Sequence, residues 1–151
     1  MRVVVQRVTR AAVGARGEIW ESIGRGAVVL VGIGHADTAD TVDRMAAKVL
    51  GLRYFEDAEG RTNLALANVS GSLLVVSQFT LLADVRRGRR PGFTTAAVPE
   101  VAEPLVTRFA DQLRGAGARV VTGRFGAEME IELVNDGPFT LVLDSERDLA
   151  S

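Results

Sequence analysis

Short apolar runs separated by glycines dominate the first third of the chain. Residues 2–8 are apolar and β-branched, apolar positions alternate over residues 18–23, and residues 27–33 are almost continuously apolar. Alternation predicts a strand with one buried face, and an unbroken run predicts a strand buried on both faces. The glycines between the runs are typical of turns. We therefore expect three β-strands in this part of the chain.

Two later segments have the spacing of amphipathic helices. Asp37 or Thr38 is a candidate cap for a helix that runs to about residue 52, and Pro99 suits the first turn of a helix from residue 98 to about residue 113. In each segment the apolar positions recur at intervals of three and four residues, which places them on one helix face. They are Val42, Met45, Ala46, Val49 and Leu50 in the first helix and Val101, Leu105, Val106, Phe109 and Leu113 in the second.

The remaining apolar runs predict further strands, with a polar loop at residues 57–66. These strands cover residues 53–55, 72–80, 119–122, 128–134 and 139–144. Strands outnumber helices, which favours antiparallel or mixed sheets with the two helices packed outside. We predict a single domain over residues 1–151, of the α/β class and the α+β type.

Composition narrows the chemistry more than the fold. The chain has 151 residues, is 47% hydrophobic, and contains no cysteine and one histidine. Its length supports a packed core, and the lack of cysteine excludes disulfides, thiolate zinc sites and cysteine nucleophiles. No apolar run approaches the roughly 20 residues that span a bilayer, and no signal-peptide pattern is present. We expect a cytoplasmic protein with no membrane association.

Conventional catalytic patterns are missing from the sequence. His35 follows a Gly-x-Gly turn at a strand end, and no serine has the Gly-x-Ser-x-Gly surroundings of a hydrolase nucleophile. A lone histidine is more typical of a surface or capping position, and without cysteine it cannot form the usual closed metal site. Glu128, Glu130 and Glu132 alternate along a strand, as on the solvent face of a sheet. We predict neither a metal nor another cofactor.

Two segments carry candidate chemistry. One is the run Ser77-Gln78-Phe79-Thr80, whose hydroxyls, amide and aromatic ring follow an apolar strand and suit a pocket floor. Its alternative interpretation is a strand that ends in an ordinary polar turn. The other is Gly137-Pro138, which lies between two predicted strands, where proline's missing amide donor marks a break. This break either leaves backbone groups free for another partner or is only a structural turn.

Together these motifs resemble the D-aminoacyl-tRNA deacylase family. The resemblance rests on Ser77-Gln78-Phe79-Thr80 combined with Asn135-Asp136-Gly137-Pro138 and Thr140. Further matches cover essentially the whole chain: Gln6-Arg7-Val8, Phe55 with Asp57 and Gly60, Asn63-Leu64, and Gly123-Arg124-Phe125-Gly126. One departure from the family pattern is Gly92, where serine is expected.

The resemblance implies a reaction, a fold and a partner. Proteins similar to this one hydrolyse the ester between a D-amino acid and the 3′-terminal ribose of tRNA, and also remove glycine from mischarged tRNA. The implied fold has mixed, mainly antiparallel sheets with a barrel-like core and two outer helices. The implied assembly is a homodimer that binds tRNA, in which each subunit inserts a cis Gly137-Pro138 peptide into the other's pocket. That peptide would act as a chirality filter, because a rigid wedge near Cα collides with an L side chain.

The reaction also suggests roles for the pocket floor. An aminoacyl ester is already activated, so the protein needs oriented donors and a held substrate more than a strong nucleophile. We expect the Phe79 amide to contact the carbonyl oxygen, with Ser77 and Gln78 shaping the pocket. Thr80 is either a hydroxyl nucleophile or, as we favour, a positioning or adenosine-contacting group.

Residues outside the pocket floor complete the expected site. The carbonyls of Gly137 and Pro138 would accept from the α-ammonium of the substrate, and Arg7 would brace their segment. A basic run offers phosphate contacts that position tRNA without reading its sequence, although a charge run is also typical of a solvated loop. We favour phosphate binding by its members, Arg86, Arg87, Arg89 and Arg90.

Two other functions are compatible with the same residues. One is a non-enzymatic RNA-binding module that uses the arginine run, and the other is a small-molecule esterase that binds no nucleic acid. The intact Ser-Gln-Phe-Thr and Gly-Pro motifs argue against the first, and the arginine run argues against the second.

Overall fold

A long first strand organises the molecule, of which the computed structural model describes residues 1–150. β1 (Arg2–Ala15) pairs antiparallel with β2 (Glu18–Ile23) and β3 (Gly26–Gly32) along one edge and with β8 (Glu130–Asp144) along the other. Parallel pairs then join β3 to β6 (Ser72–Ser77) and β6 to β7 (Arg119–Thr122). The resulting six-stranded sheet is mixed and curves into a nearly closed barrel.

Helices cover one face of this sheet and enclose the main core. α1 (Ala39–Gly51) and α2 (Pro99–Gly115) pack on each other and bury most of their predicted apolar faces against β1, β3 and β6. Val101 is an exception: it is exposed in the first turn of α2, and its neighbour Ala102 is buried instead. The Thr38 hydroxyl caps α1 by accepting from the Thr41 amide at 3.3 Å. A smaller apolar cluster lies inside the barrel and includes Val13, Val28 and Leu74. The β3 and β6 strands are therefore buried on both faces, as their unbroken apolar runs predict.

The expected fold class is confirmed, with corrections at several boundaries. β1 continues beyond residue 8 to Ala15 because β2 and β8 supply pairing partners there. The polar loop at residues 57–66 contains a strand, β5 (Thr62–Ala65), which forms a hairpin with β4 (Arg53–Glu56). A third helix of one turn, α3 (Ser145–Asp148), follows the last strand.

Two further corrections concern the candidate site itself. The strand expected over residues 72–80 ends at Ser77, and Phe79–Leu82 form a 3₁₀ turn instead. The two strands expected on either side of Gly137-Pro138 are one continuous strand, β8, with an internal bulge. Within residues 1–150 no helix is long and apolar enough to cross a membrane.

Candidate active site

The end of β6 forms the first half of the candidate site, which we call the Phe79 turn (residues 77–82). The Gln78 amide donates to the Val31 carbonyl at 2.7 Å, which is the last bond of the sheet before the chain leaves it. The 3₁₀ turn then closes with the Leu81 amide donating to the Gln78 carbonyl at 3.2 Å. The amides of Phe79 and Thr80 open this turn, so they have no partner within it. Two backbone donors are therefore presented at the end of a buried strand.

Gly32 lets the Phe79 turn pack closely against β3. A Cβ atom at this position would lie 2.4 Å from the Leu82 Cδ2 atom and 3.0 Å from the Gln78 carbonyl oxygen. The Leu82 side chain could move aside, but the Gln78 carbonyl is backbone and would have to shift by a few tenths of an ångström, so a Cβ atom at this position would disturb the Phe79 turn. The sequence alone suggested only a strand-end turn at Gly32, whereas the tertiary structure assigns it to the support of the site.

A cavity of about 310 Å³ opens beside the Phe79 turn. Ser77 and Phe79 line it together with the end of β3, the first turns of α2 and the segment after β7. The Phe79 side chain is 56% exposed, and its ring meets the Phe93 ring edge-on at 5.2 Å. The walls of this Phe79 cavity are largely apolar: Val31, Ile33, Phe93, Ala96, Ala97, Pro99, Ala102, Val106 and Phe125.

The polar side chains of the Phe79 turn bind each other. The Gln78 side-chain amide donates to the Thr80 hydroxyl. His35 is exposed, and its Nε2 atom lies 2.6 Å from the Thr94 carbonyl oxygen. It lines a separate groove of about 560 Å³, not the Phe79 cavity. No histidine base is thus available to Thr80, and no group of three His, Cys, Asp or Glu side chains within residues 1–150 is arranged to hold a metal ion.

The second half of the candidate site is the Gly137-Pro138 bulge (residues 136–139) in β8. Gln6 pairs with Thr140 and Val8 pairs with Asn135, so the four residues between them have only Arg7 opposite. The Gly137-Pro138 peptide is cis, and both residues are exposed. A Cβ atom on Gly137 would lie 2.3 Å from the Phe139 amide nitrogen, so only glycine fits this backbone.

Arg7 lies beneath the bulge and is 5% exposed. Its Nε atom donates to the Asp136 carbonyl at 3.0 Å, and its Nη1 atom donates to the Tyr54 carbonyl at 2.6 Å. Its guanidinium carbon also lies 4.9 Å from the centre of the Phe139 ring. The Arg7 fork therefore joins both ends of the bulge to the β4 strand.

Asn135 and Tyr54 are supports that sequence reasoning missed. The Asn135 side-chain amide donates to the Arg7 carbonyl at 2.9 Å and to the Phe139 carbonyl at 3.0 Å, which closes the base of the bulge. The Tyr54 ring stacks on the Phe139 ring with 6.0 Å between their centres. Burial raises the pKa of the Tyr54 hydroxyl, and the charge of Arg7 offsets part of that rise. The place of Asn135 in the Asn-Asp-Gly-Pro motif was the available signal; Tyr54 had none.

The two halves lie at opposite ends of the sheet. β3 residue Ala27 pairs with Arg7 and Val31 pairs with Ser77, so four residues of β3, about 13 Å, separate the two levels. The strand order β8-β1-β3-β6 adds three spacings of about 4.8 Å across the sheet. The Gly137-Pro138 bulge accordingly does not line the Phe79 cavity of its own chain.

The basic run lies in an arginine loop (residues 84–92) that follows the Phe79 turn. The Asp84 and Gly92 backbones exchange two hydrogen bonds, at 2.7 and 2.9 Å. Arg86 binds the Asp84 carboxylate through two nitrogens, and this bond holds the pKa of that carboxyl well below its usual range. No carboxylate within residues 1–150 forms a salt bridge with the exposed Arg87, Arg89 or Arg90. Three of the four predicted arginines are therefore available to an anion.

Comparison with known proteins identifies the family. The family model for D-Tyr-tRNA(Tyr) deacylase matches residues 4–144. The D-aminoacyl-tRNA deacylase of Symbiobacterium thermophilum is 55% identical over 147 residues, which cover 97% of each chain. That of Chloroflexus aurantiacus is 54% identical over 145 residues, which cover 96% of this chain and 91% of the relative.

Solved structures agree with this similarity. The c-Myc DNA Unwinding Element Binding Protein superposes with a TM-score of 0.90 at 42% identity and covers 95% of this chain and 98% of its own. A probable eukaryotic D-amino acid tRNA deacylase superposes with a TM-score of 0.81, covers 94% of this chain and 97% of its own, and at 20% identity supports the fold alone.

These matches place the protein among the hydrolases that act on aminoacyl-tRNA. Within that class the chain belongs to the D-Tyr-tRNA(Tyr) deacylase family. The resemblance inferred from the Ser-Gln-Phe-Thr and Asn-Asp-Gly-Pro motifs is thereby confirmed.

Proposed function

We propose that this protein hydrolyses the ester bond of D-aminoacyl-tRNA, and of glycine mischarged on tRNA, as a homodimer in the cytoplasm. In this proposal the Gly137-Pro138 bulge of one copy completes the Phe79 cavity of the other. The observation that carries the assembly is the separation of the two halves: the exposed bulge and the open cavity lie at opposite ends of one sheet. A composite site therefore needs two chains.

The chemistry proposed for the Phe79 turn relies on the backbone. The ester carbonyl oxygen gains negative charge when water or the neighbouring ribose hydroxyl attacks its carbon. An amide that opens a 3₁₀ turn at a rigid strand end is a preorganised donor for that charge, and this assigns the Phe79 N–H to the oxyanion. Ser77 forms part of the cavity floor, and Gln78, which does not line the cavity, shapes the site through its bond to Thr80. Thr80, which is held by Gln78, positions the substrate.

Selection between enantiomers is assigned to the bulge. Its carbonyls at Gly137 and Pro138 accept from the α-ammonium, which fixes Cα beside the wedge. Hydrogen or a D side chain then points away from the peptide, while an L side chain meets it. Rejection by contact requires a stiff wedge, and the bonds from Arg7 and Asn135 to the bulge supply that stiffness. Achiral glycine offers nothing to reject and would be hydrolysed.

The nucleic-acid part of the substrate is assigned to the arginine loop. Arg87, Arg89 and Arg90 are exposed next to the Phe79 turn, and arginine forks bind phosphate well. Arg86 contributes less, because its fork is already on Asp84.

A substrate panel tests the activity. We expect the protein to deacylate D-Tyr-tRNA and to leave L-Tyr-tRNA and a free D-tyrosine ester intact. Hydrolysis of the free ester alone would indicate a small-molecule esterase. Binding of tRNA without turnover of any ester would indicate an RNA-binding module, and either result would refute the proposal.

A subunit-mixing experiment tests the composite site. Phe79→Pro removes the proposed donor, and Gly137→Ala places a Cβ atom 2.3 Å from the Phe139 amide nitrogen and so distorts the bulge with its carbonyls. Each homodimer should therefore be nearly inactive on D-Tyr-tRNA. A heterodimer of the two, isolated through different tags, contains one intact composite site and should regain about half of the wild-type rate. If the heterodimer is as inactive as its parents, the site is not shared between chains.

Selectivity itself is measured with the Pro138→Ala homodimer. Relaxed rejection of L-Tyr-tRNA, or loss of all deacylation, is the expected result. Wild-type discrimination between the D and L esters would remove the wedge from the proposal.

A further inference from the structure

A cation–π pair lies outside the Phe79 cavity, at the root of one of its walls. The guanidinium carbon of Arg124 is 4.0 Å from the centre of the Trp20 ring. Trp20 belongs to β2, and Arg124 lies in the segment after β7 that we call the Phe125 loop (residues 123–126). No carboxylate within residues 1–150 forms a salt bridge with Arg124. The face of Trp20 is therefore the main contact that anchors this side chain.

The Phe125 loop is tightly folded at its two ends. The Gly123 amide donates to the Val75 carbonyl at 3.2 Å, and the Ala127 amide donates to the Arg124 carbonyl at 3.2 Å. A Cβ atom on Gly123 would lie 2.6 Å from the Met129 sulfur, and Gly126 has a φ of +76°. The loop thus turns sharply where the sheet ends, and its position depends on a few contacts.

Phe125 in this loop and Met129 shortly after it pack on opposite faces of the sheet. Phe125 packs against the main core and lines both the Phe79 cavity and an adjoining cavity of about 240 Å³, each of which includes Ser77. Met129, just past the loop, packs against the barrel cluster on the other face. The Arg124 side chain lies over the Trp20 ring, outside the cavity. The contact therefore anchors the Phe125 loop, whose Phe125 forms part of the cavity wall, from its outer side.

The specific contact of Trp20 is made by the face of its ring, over which the Arg124 guanidinium lies. Its Nε1 atom is buried and has no hydrogen-bond acceptor within residues 1–150. A buried indole usually finds a partner for this donor, so the location is not explained by a hydrogen bond. The contact with Arg124 is the specific interaction that the ring makes, and Trp gives the strongest such contact among the aromatic residues.

We propose that Trp20 and Arg124 are positioning residues for the substrate cavity. Their pair sets the Phe125 loop and thereby the distance between Phe125 and Ser77 across the cavity. This inference rests on the proposed deacylase function. The Phe79 amide belongs to a different segment, so loss of the pair weakens substrate binding while the chemical step is retained.

Steady-state kinetics with single and double variants test this role. Trp20→Leu and Arg124→Gln should each raise KM for D-Tyr-tRNA about 3- to 10-fold and leave kcat within about twofold. Because the two residues act as one unit, the double variant should be no worse than either single variant. Trp20→Phe keeps an aromatic ring face, so its KM should stay close to the wild-type value.

A ligand without phosphate separates positioning from a direct contact of Arg124 with tRNA. Both variants should weaken binding of the non-hydrolysable amide analogue of D-tyrosyl-adenosine by the same factor by which they raise KM for D-Tyr-tRNA. An unchanged Kd for the analogue would overturn the inference, as would additive effects in the double variant or an equal fall in kcat. These outcomes presuppose a wild type that hydrolyses D-esters, so failure of the proposed function is seen first and separately.

The fluorescence of the chain gives a second readout, because Trp20 is its only tryptophan. Arg124→Gln should shift or brighten the Trp20 emission in the free protein. The non-hydrolysable amide analogue of D-tyrosyl-adenosine should change the emission of the wild type and not that of Arg124→Gln. Emission that is the same in both proteins and unaffected by the analogue would refute the coupling between the pair and the cavity.

Discussion

The Phe79 turn and the Gly137-Pro138 bulge both interrupt a strand, but they treat their backbone groups in opposite ways. At the Phe79 turn the sheet bonds end at Gln78, and the next amides open a 3₁₀ turn beside a cavity. At the bulge, carbonyls on both sides are bound by the buried Arg7 and by Asn135. One interruption exposes donors in a recess, and the other stiffens a protruding peptide.

This difference matches the two tasks of a stereoselective hydrolase. Stabilisation of an oxyanion needs donors that are oriented and unoccupied before the substrate arrives. Rejection of an enantiomer needs a surface that does not yield, which satisfied hydrogen bonds and close packing provide. Five predictions test this contrast and the arginine loop beside the turn, beginning with the largest expected effect.

The sharpest test of the Phe79 turn removes one backbone donor. Phe79→Pro deletes the amide at the first position of the 3₁₀ turn, where proline is tolerated. We expect kcat for D-Tyr-tRNA to fall about 100- to 1000-fold, as for loss of one oxyanion donor. Phe79→Ala is the control, because it deletes the ring and keeps the amide. Equal losses in the two variants would assign the effect to the ring.

The bulge should instead respond through stability. Arg7→Met keeps a long apolar stem and leaves the carbonyls of Asp136 and Tyr54 without their donor, which should cost about 2–4 kcal/mol in the free energy of unfolding. Phe79→Ala, at a 56% exposed side chain, should cost less than about 1 kcal/mol. Urea denaturation of both variants measures the difference. Similar losses would contradict the contrast between a stiff bulge and an open turn.

The role of the Thr80 hydroxyl is resolved by an isosteric change. Thr80→Val removes the acceptor of the Gln78 amide and preserves the shape of the side chain. If Thr80 positions the substrate, kcat should fall less than about tenfold, in line with one lost hydrogen bond. A loss of about 10⁴-fold or more, typical of a removed nucleophile, would reverse our preference. Thr80→Ser, which keeps the hydroxyl, is the matched control.

The smallest effect concerns the arginine loop. Each phosphate contact adds about one unit to the salt dependence of tRNA binding, so Arg89→Glu should lower that slope by about one. Arg86→Gln should change it less, and Asp84→Asn, which releases Arg86, should steepen it. Filter binding at several salt concentrations measures these slopes. An unchanged slope in Arg89→Glu would exclude the loop from the tRNA contact.

The Asp84–Arg86 pair also predicts how the salt dependence of tRNA binding varies with pH. Arg86 depresses the pKa of Asp84 below its ordinary 3.8, so the carboxylate stays charged in the folded protein above that value. The Asp84–Arg86 salt bridge therefore stays intact from neutral pH down to about the ordinary pKa of aspartate, and it is lost only as the pH falls further. The salt slope of the wild type should accordingly be constant between about pH 5 and pH 8. A slope that steepens toward pH 5 would show that Arg86 is released earlier.

Much of the local structure was predictable because it depends on nearby residues. The strands β2, β3 and β7 and the helices α1 and α2 follow from apolar spacing and caps, and the structure has them within a residue or two. The errors lie where a distant segment decides. Residues 9–15 carry a weak strand pattern, and their pairing with β2 and β8 extends β1. The last residues of the predicted strand at 72–80 leave the sheet because they turn over Gly32.

The sequence by itself determined the two motifs, the absence of cysteine and the near absence of histidine, and through the motifs the family. The residue types alone specify side-chain chemistry and the positions where proline interrupts a strand, so these inferences needed no coordinates. Only the tertiary structure decided that Arg7 is buried beneath the bulge, that Arg86 is occupied by Asp84, and that Arg124 lies over the Trp20 ring. The Arg7 and Trp20 contacts join segments that are distant in sequence, and the Arg86–Asp84 pair forms because the loop folds back between Asp84 and Gly92. The tertiary structure also decided that the two motifs lie apart in one chain, because strand order and register set their distance.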